Sequence, residues 1–248
     1  MRYAFAVIAD VHGNTWALQA VLADIARRGI QQTVNLGDSV YGSLDPRGTA
    51  DRLMQEGIPS LCGNQDRIVY APPAAVMGSA DHDFVTRELT EAHLDWLRGQ
   101  PPTSTFGEVF CCHGTPASDE TYLLEEVTPY GVRLRDPRAI LELLDGVTQP
   151  VVVCGHSHVP HAVRLPSGQL VVNPGSVGIP AYDHDEPYPH VMEAGSPHAR
   201  YAVLRQEPGG WQVEHVAVPY PWGEAAAVAR RNGREDRARW IATGRAIP

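Results

Sequence analysis

The sequence contains no lysine, so all twenty of its basic residues are arginine. It also has only four cysteines, none of them in a CxxC pair, and no apolar run near the ~20 residues that a membrane-spanning helix needs. These shortages exclude several classes. A structural zinc site needs clustered thiolates, and none stands where the potential ligands described below fall. Adjacent Cys111 and Cys112 point to opposite faces of any strand, and all four cysteines read as buried, reduced thiols. The apolar N-terminal run over residues 1–8 is too short for a signal sequence or a span, and Asp10 and His12 follow it at once, so it reads as a buried strand. A soluble, cytoplasmic protein with no membrane partner is the expectation. The lysine-free composition, beside 23 glycines and 21 prolines, reads as genome composition bias. The net charge of -9 steers poorly toward nucleic acid, which is not expected as a stable partner. A local metal site can still bind phosphate on an acidic chain, because bound cations outweigh nearby charges.

A length of 248 residues with 43% hydrophobic residues suffices for one large core. The expectation is a single domain over 1–248 with a surface loop excursion at 182–198. The first third alternates strands (3–9, 32–36, 58–62) with helices (14–28, 46–55). The helical spacing of Leu18, Val21, Leu22 and Ile25 before Gly29 supports the first helix. Such alternation argues for parallel pairing in an α/β sheet. Residues 66–98 read as mostly helical, followed by short strands at 103–106, 109–112 and 151–154. Hairpins are expected around Ser167-Gly168 and Gly209-Gly210, and a helical tail over 223–241.

The placing of His, Asp and Asn against this pattern carries the functional reading. Asp10-Val11-His12 follows the first strand, Gly37-Asp38 the second, and Gly63-Asn64-Gln65-Asp66 the third. His113-Gly114 and Gly155-His156-Ser157-His158 end two later strands. Carboxyl ends of strands are where open α/β sheets build their sites, and neighbouring glycines permit sharp turns. Taken singly, each motif is an ordinary turn or a satisfied histidine; their ordered recurrence at five strand ends is what argues for a metal site. Imidazole suits Zn, Fe or Ni, and carboxylate with amide oxygen suits Mn or Mg. Two cations about 3.5–4 Å apart need a bridging ligand, and Asp38 is the candidate.

The ordered pattern D-x-H, G-D, G-N-x-D/E, H-G and G-H-x-H, from Asp10 to His158, closely resembles the calcineurin-like metallophosphoesterase superfamily. Asn173-Pro174-Gly175-Ser176 is similar to a segment of its small prokaryotic branch. The resemblance implies a four-layer α/β/β/α sandwich of two mixed sheets with the site at one edge. It implies one metal held by Asp10, His12, Asp38 and His158, and another by Asp38, Asn64, His113 and His156. Asp66 would orient a neighbouring ligand, and Asp38, Asn64 and Asp66 form the implied catalytic set. The cofactors would be two divalent transition-metal ions, Mn2+ foremost, with Fe, Zn, Co or Ni as substitutes.

The implied reaction is hydrolysis of a small-molecule phosphate ester by a hydroxide held between the cations. One departure bears on the substrate. Many phosphatases of the superfamily carry His at the third position of G-N-x-D/E, where it assists the leaving group; here it is Gln65. A side-chain amide cannot act as an acid, which favours activated phosphodiesters. The alternatives are a phosphomonoesterase of the same fold and a non-catalytic protein-binding module, the latter disfavoured because every ligand position is filled. Arg67 and Tyr41 lie just beyond ligand motifs and read either as phosphate contacts or as a surface ion pair and a packed aromatic. The loop at 182–198, with His184, His190 and His198, reads as solvated; the sharper alternative is that it reaches over the metal edge.

Overall fold

The alternating side chains of the first strand set the two main layers. In the computed structural model, which describes residues 4–247, β1 (Ala4–Ile8) sends Ala6 and Ile8 to one side. There they meet Leu18, Val21 and Ile25 of α1 (Thr15–Arg27). Phe5 and Val7, with Ala9 beyond the strand, go to the other side, against a second sheet. Tyr3, included in the expected strand, lies outside the described residues.

The first sheet has the order β13-β12-β1-β2, with β2 at Gln32–Asn35, β12 at Ala199–Glu207 and β13 at Gly210–Val218. Within it β1 runs parallel to β2 and antiparallel to β12. The second sheet has the order β3-β4-β7-β9-β8. Its strands are β3 (Thr103–Phe106), β4 (Val109–Cys112), β7 (Val151–Val153), β8 (His161–Arg164) and β9 (Leu170–Asn173), with β4, β7 and β9 mutually parallel. Val109, Cys111, Val151 and Val153 face the first sheet; Cys112, Val152 and Cys154 face Ile140 of α6 (Pro137–Leu143). The outer face of the first sheet is covered by α1, α7 (Trp222–Arg231) and α8 (Glu235–Thr243). The result is a mixed α/β sandwich layered α/β/β/α. Each fully buried Val, Leu, Ile or Phe contributes about 1.5–3 kcal/mol relative to an exposed one. Among the described residues no helix is long and apolar enough to cross a membrane.

Several expectations are corrected. The strand expected at 58–62 shrinks to a single parallel bridge between Asn35 and Ser60, because Pro59 offers no N–H and the chain turns into a helix right after Gly63. The helical stretch 66–98 is three helices, α3 (Asn64–Tyr70), α4 (Ala80–Glu88) and α5 (Glu91–Arg98). Pro72 and Pro73 interrupt it after α3. The tail is split into α7 and α8 by Gly233 at φ 79°. A hairpin of β5 (Glu125–Thr128) and β6 (Gly131–Leu134) lies in a stretch assigned no structure above. The segment 182–198 is exposed over 183–189, as a surface loop would be, but it is not all loop. It contains most of an antiparallel pair, β10 (Ala181–His184) and β11 (His190–Glu193), with His190 and Met192 buried.

Candidate functional site

Parallel pairing aims the carboxyl ends of β1, β2, β4 and β7 the same way, so the turns that follow them meet at one edge of the sandwich. Those turns use an uncommon backbone. Asp10, His12, Asp38, His156 and His158 have φ between 50° and 70°, and they are the only non-glycine residues with positive φ among those described. Each such residue costs about 1–3 kcal/mol, and this kind of strain persists where the surroundings over-determine it. Hydrogen bonds between turns hold them: Asp10 N–H donates to Gly37 O (3.0 Å) and His12 N–H to Asp38 O (2.9 Å). Two glycines admit the interleaving. A Cβ on Gly63 would run into the Asp38 carboxylate, and one on Gly178 into the Val11 carbonyl.

The side chains converge in two groups. Asp10, His12 and His158 bring one ligand atom each within 4.8 Å of one another, as do Asp38, His113 and His156. Asp38 joins them, since its Oδ2 lies 3.9 Å from His12 Nε2 and 3.5 Å from His113 Nε2. Asn64 Oδ1 stands 3.2 Å from His113 Nε2. All seven expected ligand positions therefore meet at this edge.

The histidine tautomers follow from their outer partners. His12, His113 and His158 each donate Nδ1–H to a backbone carbonyl, of Tyr41 (3.0 Å), Leu36 (2.9 Å) and Ile179 (2.7 Å). His156 instead donates Nε2–H to the Glu120 carbonyl at 3.0 Å, leaving Nδ1 as its lone pair. A carbonyl only accepts, so each neutral ring turns its bare nitrogen inward, the arrangement typical of histidines that hold metals. With both rings neutral, His12 Nε2 and His158 Nε2 would face each other at 3.0 Å as two lone pairs, so either a proton or a cation belongs between them. A cation relieves that contact, and the His, Asp and Asn donors suit a divalent transition metal.

The electrostatics agree. Burial, then the neighbouring His158, lowers His12 to about 4. Burial, then His113, does the same to His156. Burial also disfavours a charge on His113, but the Asp38 carboxylate overrides it and lifts the ring to about 10. Without a cation, His113 therefore holds the proton that the site's carboxylates attract. Burial works against the Asp38 and Asp10 carboxylates too, yet His113 and His158 respectively keep them below the ordinary range.

Asp66 stands apart from both groups. Its Oδ1 accepts from Ser39 N–H (2.8 Å) and its Oδ2 from Gly63 N–H (3.2 Å), tying the turn after β2 to the turn before α3. Burial and the Asp38 charge raise it to about 7. Gln65 donates its backbone N–H to Asp38 Oδ1 (2.8 Å), and its side chain lines the adjoining cavity. Arg67 pairs with Asp119 at 2.7 Å and with Glu120 at 2.9 Å, and Tyr41 is buried in an apolar cluster, the ion pair and packed aromatic of the structural alternative. The four cysteines are free and buried, and burial pushes Cys62 and Cys112 up to about 12.

A cavity of about 880 Å³ opens beside the ligand groups, touching His12, Asn64, His156 and His158. Much of its far wall was not anticipated. Tyr122 and Tyr182 share a hydroxyl contact of 2.8 Å, and Tyr182 lies 3.2 Å from the His156 carbonyl. Glu125 and, from α8, Arg237 and Trp240 complete much of it. No short motif flags these residues. Only the density of His and acid in 182–198 hinted that this segment reaches the site, and Asp183, His184 and Glu186 do line the cavity.

The model of the calcineurin-like phosphoesterase superfamily domain matches residues 3–193, and the chain belongs to this family. A curated relative, an uncharacterized protein of Methanocaldococcus jannaschii, is 25% identical over 208 residues, covering 73% of this chain and 78% of its own. Among solved structures, a metallophosphoesterase from Sphaerobacter thermophilus superposes with TM-score 0.76 at 24% identity, covering 99% of this chain and 100% of its own. A hypothetical protein from Pyrococcus horikoshii gives TM-score 0.73 at 16% identity, covering 98% and 99%. The fold is thus shared along nearly the whole chain, and the family makes the protein a phosphoesterase that uses divalent metal ions.

Proposed function

We propose that the protein is a dinuclear enzyme that hydrolyses small-molecule phosphodiesters and prefers activated ones. One metal, manganese first among the candidates, belongs to Asp10, His12, Asp38 and His158, and the other to Asp38, Asn64, His113 and His156. The observation that carries this reading is the coincidence of strain and chemistry: all five described non-glycine residues at positive φ belong to this ligand set. When bound, such cations supply a water of lowered pKa and neutralise charge on the phosphoryl oxygens.

The chain's own residues do the rest. Asp38 turns a single oxygen, Oδ2, toward both groups while Gln65 N–H steadies the other. The four histidines are fixed by their carbonyl partners, so no ring must reorient to bind. Asp66 keeps the Asp38 and Asn64 turns in register through backbone bonds. No serine or cysteine is nominated as a covalent nucleophile, and the burial that raises Cys62 and Cys112 fits that reading.

The diester preference rests on Gln65. Its Oε1 is buried with no hydrogen-bond partner among the described residues, beside Asn64 in the cavity wall. An amide gives a departing alkoxide no acidic proton, and general acid assistance typically contributes about 10²–10⁴-fold. A nitrophenolate leaves unaided, and a diester carries one negative charge fewer than a monoester dianion. Metal-reconstituted wild type should therefore turn over nitrophenyl diesters far better than alkyl monoesters. Gln65→His should raise turnover of alkyl esters more than that of nitrophenyl diesters. Equal effects on good and poor leaving groups would remove Gln65 from the account of specificity.

A further inference from the structure

The two ligand groups are enclosed unequally. Asp10, His12, Asp38 and His158 are all buried, whereas Asn64 and His156, which share the other group with Asp38 and His113, are only half-buried. His156 also differs in tautomer, because its Nε2–H goes to the Glu120 carbonyl at 3.0 Å. That carbonyl belongs to a turn over 114–121 that follows directly on His113 and folds back tightly. A Cβ on Gly114 would strike the carbonyls of Ser118 and Thr121. Tyr122, next along the chain, lays its ring against that of His156, with centroids 4.7 Å apart.

Arg67 closes this turn from outside. Its Nε and Nη2 fork onto the two carboxylate oxygens of Asp119 at 2.7 and 3.0 Å, and Nη2 also donates to Glu120 Oε1 at 2.9 Å. Arg67 lies on α3, whose first residue is Asn64. One guanidinium therefore joins the helix that presents Asn64 to the turn that leaves His113 and orients His156. Among the described residues its side chain makes no hydrogen bond or ion pair with Asp10, His12 or His158. Exposed ion pairs contribute little unless the geometry is bidentate or the charges form a network, and this contact is both.

We infer that Arg67 is a positioning residue for one cation of the pair. It holds the Glu120 carbonyl where that carbonyl fixes His156, and so raises the affinity of the Asp38, Asn64, His113 and His156 group while leaving the other group unaffected. The inference rests on the dinuclear reading proposed above. Arg67 acts at one remove from the ligand, so its loss costs less affinity than the loss of a residue bonded to a ligand.

Arg67→Met and, from the other side of the contact, Asp119→Ala test this through Mn2+ binding to metal-free protein, read by competition with a chelator. In either variant one of two equivalents should bind about three- to tenfold more weakly and the other within about twofold of wild type. Arg67→Lys keeps the charge but not the fork, and should lie between wild type and Arg67→Met. The cation retained by a His156→Asn protein should be indifferent to Arg67→Met. The His156 ring gives a second readout, independent of turnover. In metal-free wild type labelled with 15N-histidine, its nitrogen shifts should report the Nε2–H tautomer at neutral pH, and Arg67→Met should shift the ring toward a mixture with Nδ1–H. Equal weakening of both cations, or unchanged affinities in folded variants, overturns the inference. A wild type that binds a single equivalent contradicts the dinuclear reading instead. The clamp is then judged on the ring alone, and an unchanged His156 tautomer in Arg67→Met overturns it.

Discussion

On one side of the cavity, the rim of Asp10, His12, Asp38, His156 and His158 consists of turns in left-handed backbone, locked to one another by main-chain hydrogen bonds. On the other side, Tyr182 and Arg237 sit within β10 and α8 with ordinary backbone. The rim binds its parts through carbonyls of neighbouring turns, whereas the wall is assembled from side chains far apart in sequence, such as Tyr122 and Tyr182. The difference implies a division of labour. Strained turns fix ligand geometry and tolerate little change, while a wall on regular elements can vary in side chain without disturbing the rim.

Two substitutions press on that division. Asp66→Ala removes the acceptor shared by Ser39 N–H and Gly63 N–H, which spans two rim turns. Metal affinity, read by competition with a chelator, should fall about 10–100-fold, as for other residues that orient ligands. Stability should drop by about 1–3 kcal/mol for the buried N–H groups left unpaired. A loss of stability with unchanged metal affinity would reduce Asp66 to a helix cap. Tyr182→Phe acts on the wall. It deletes the hydroxyl near Tyr122 and the His156 carbonyl, a hydrogen bond worth about 1 kcal/mol net. The expected result is a change of no more than about fivefold in KM, with metal content constant. Loss of metal in that variant would mean that rim and wall are not separable.

The same division explains what could be read from the sequence. The rim was legible because its ligands lie beside glycines at the ends of apolar strands, and the four-layer order was implied by the resemblance that those ordered motifs carry, which the alternating faces of β1, β4 and β7 bear out. The wall was not. The β10–β11 pair is rich in His, Asp and Pro, residues that signal turns, and it becomes strand only by pairing with itself and burying Met192. The short β5–β6 hairpin turns at Pro129-Tyr130, which has no strong two-residue hairpin signature. Arg237 sits among surface-like charges of an amphipathic helix, and only tertiary packing against Gly42 and Asp81 shows that it is buried. Short-range sequence carries the turns; long-range packing carries the cavity.

The central claim is that the two ligand groups hold two cations joined through Asp38. Elemental analysis of chain reconstituted with excess Mn2+ and desalted tests it most directly. The account predicts two equivalents per chain in wild type and fewer in Asp38→Asn, with the fold of the variant intact by circular dichroism. A persistent single equivalent in wild type, or two equivalents retained by Asp38→Asn, would contradict it.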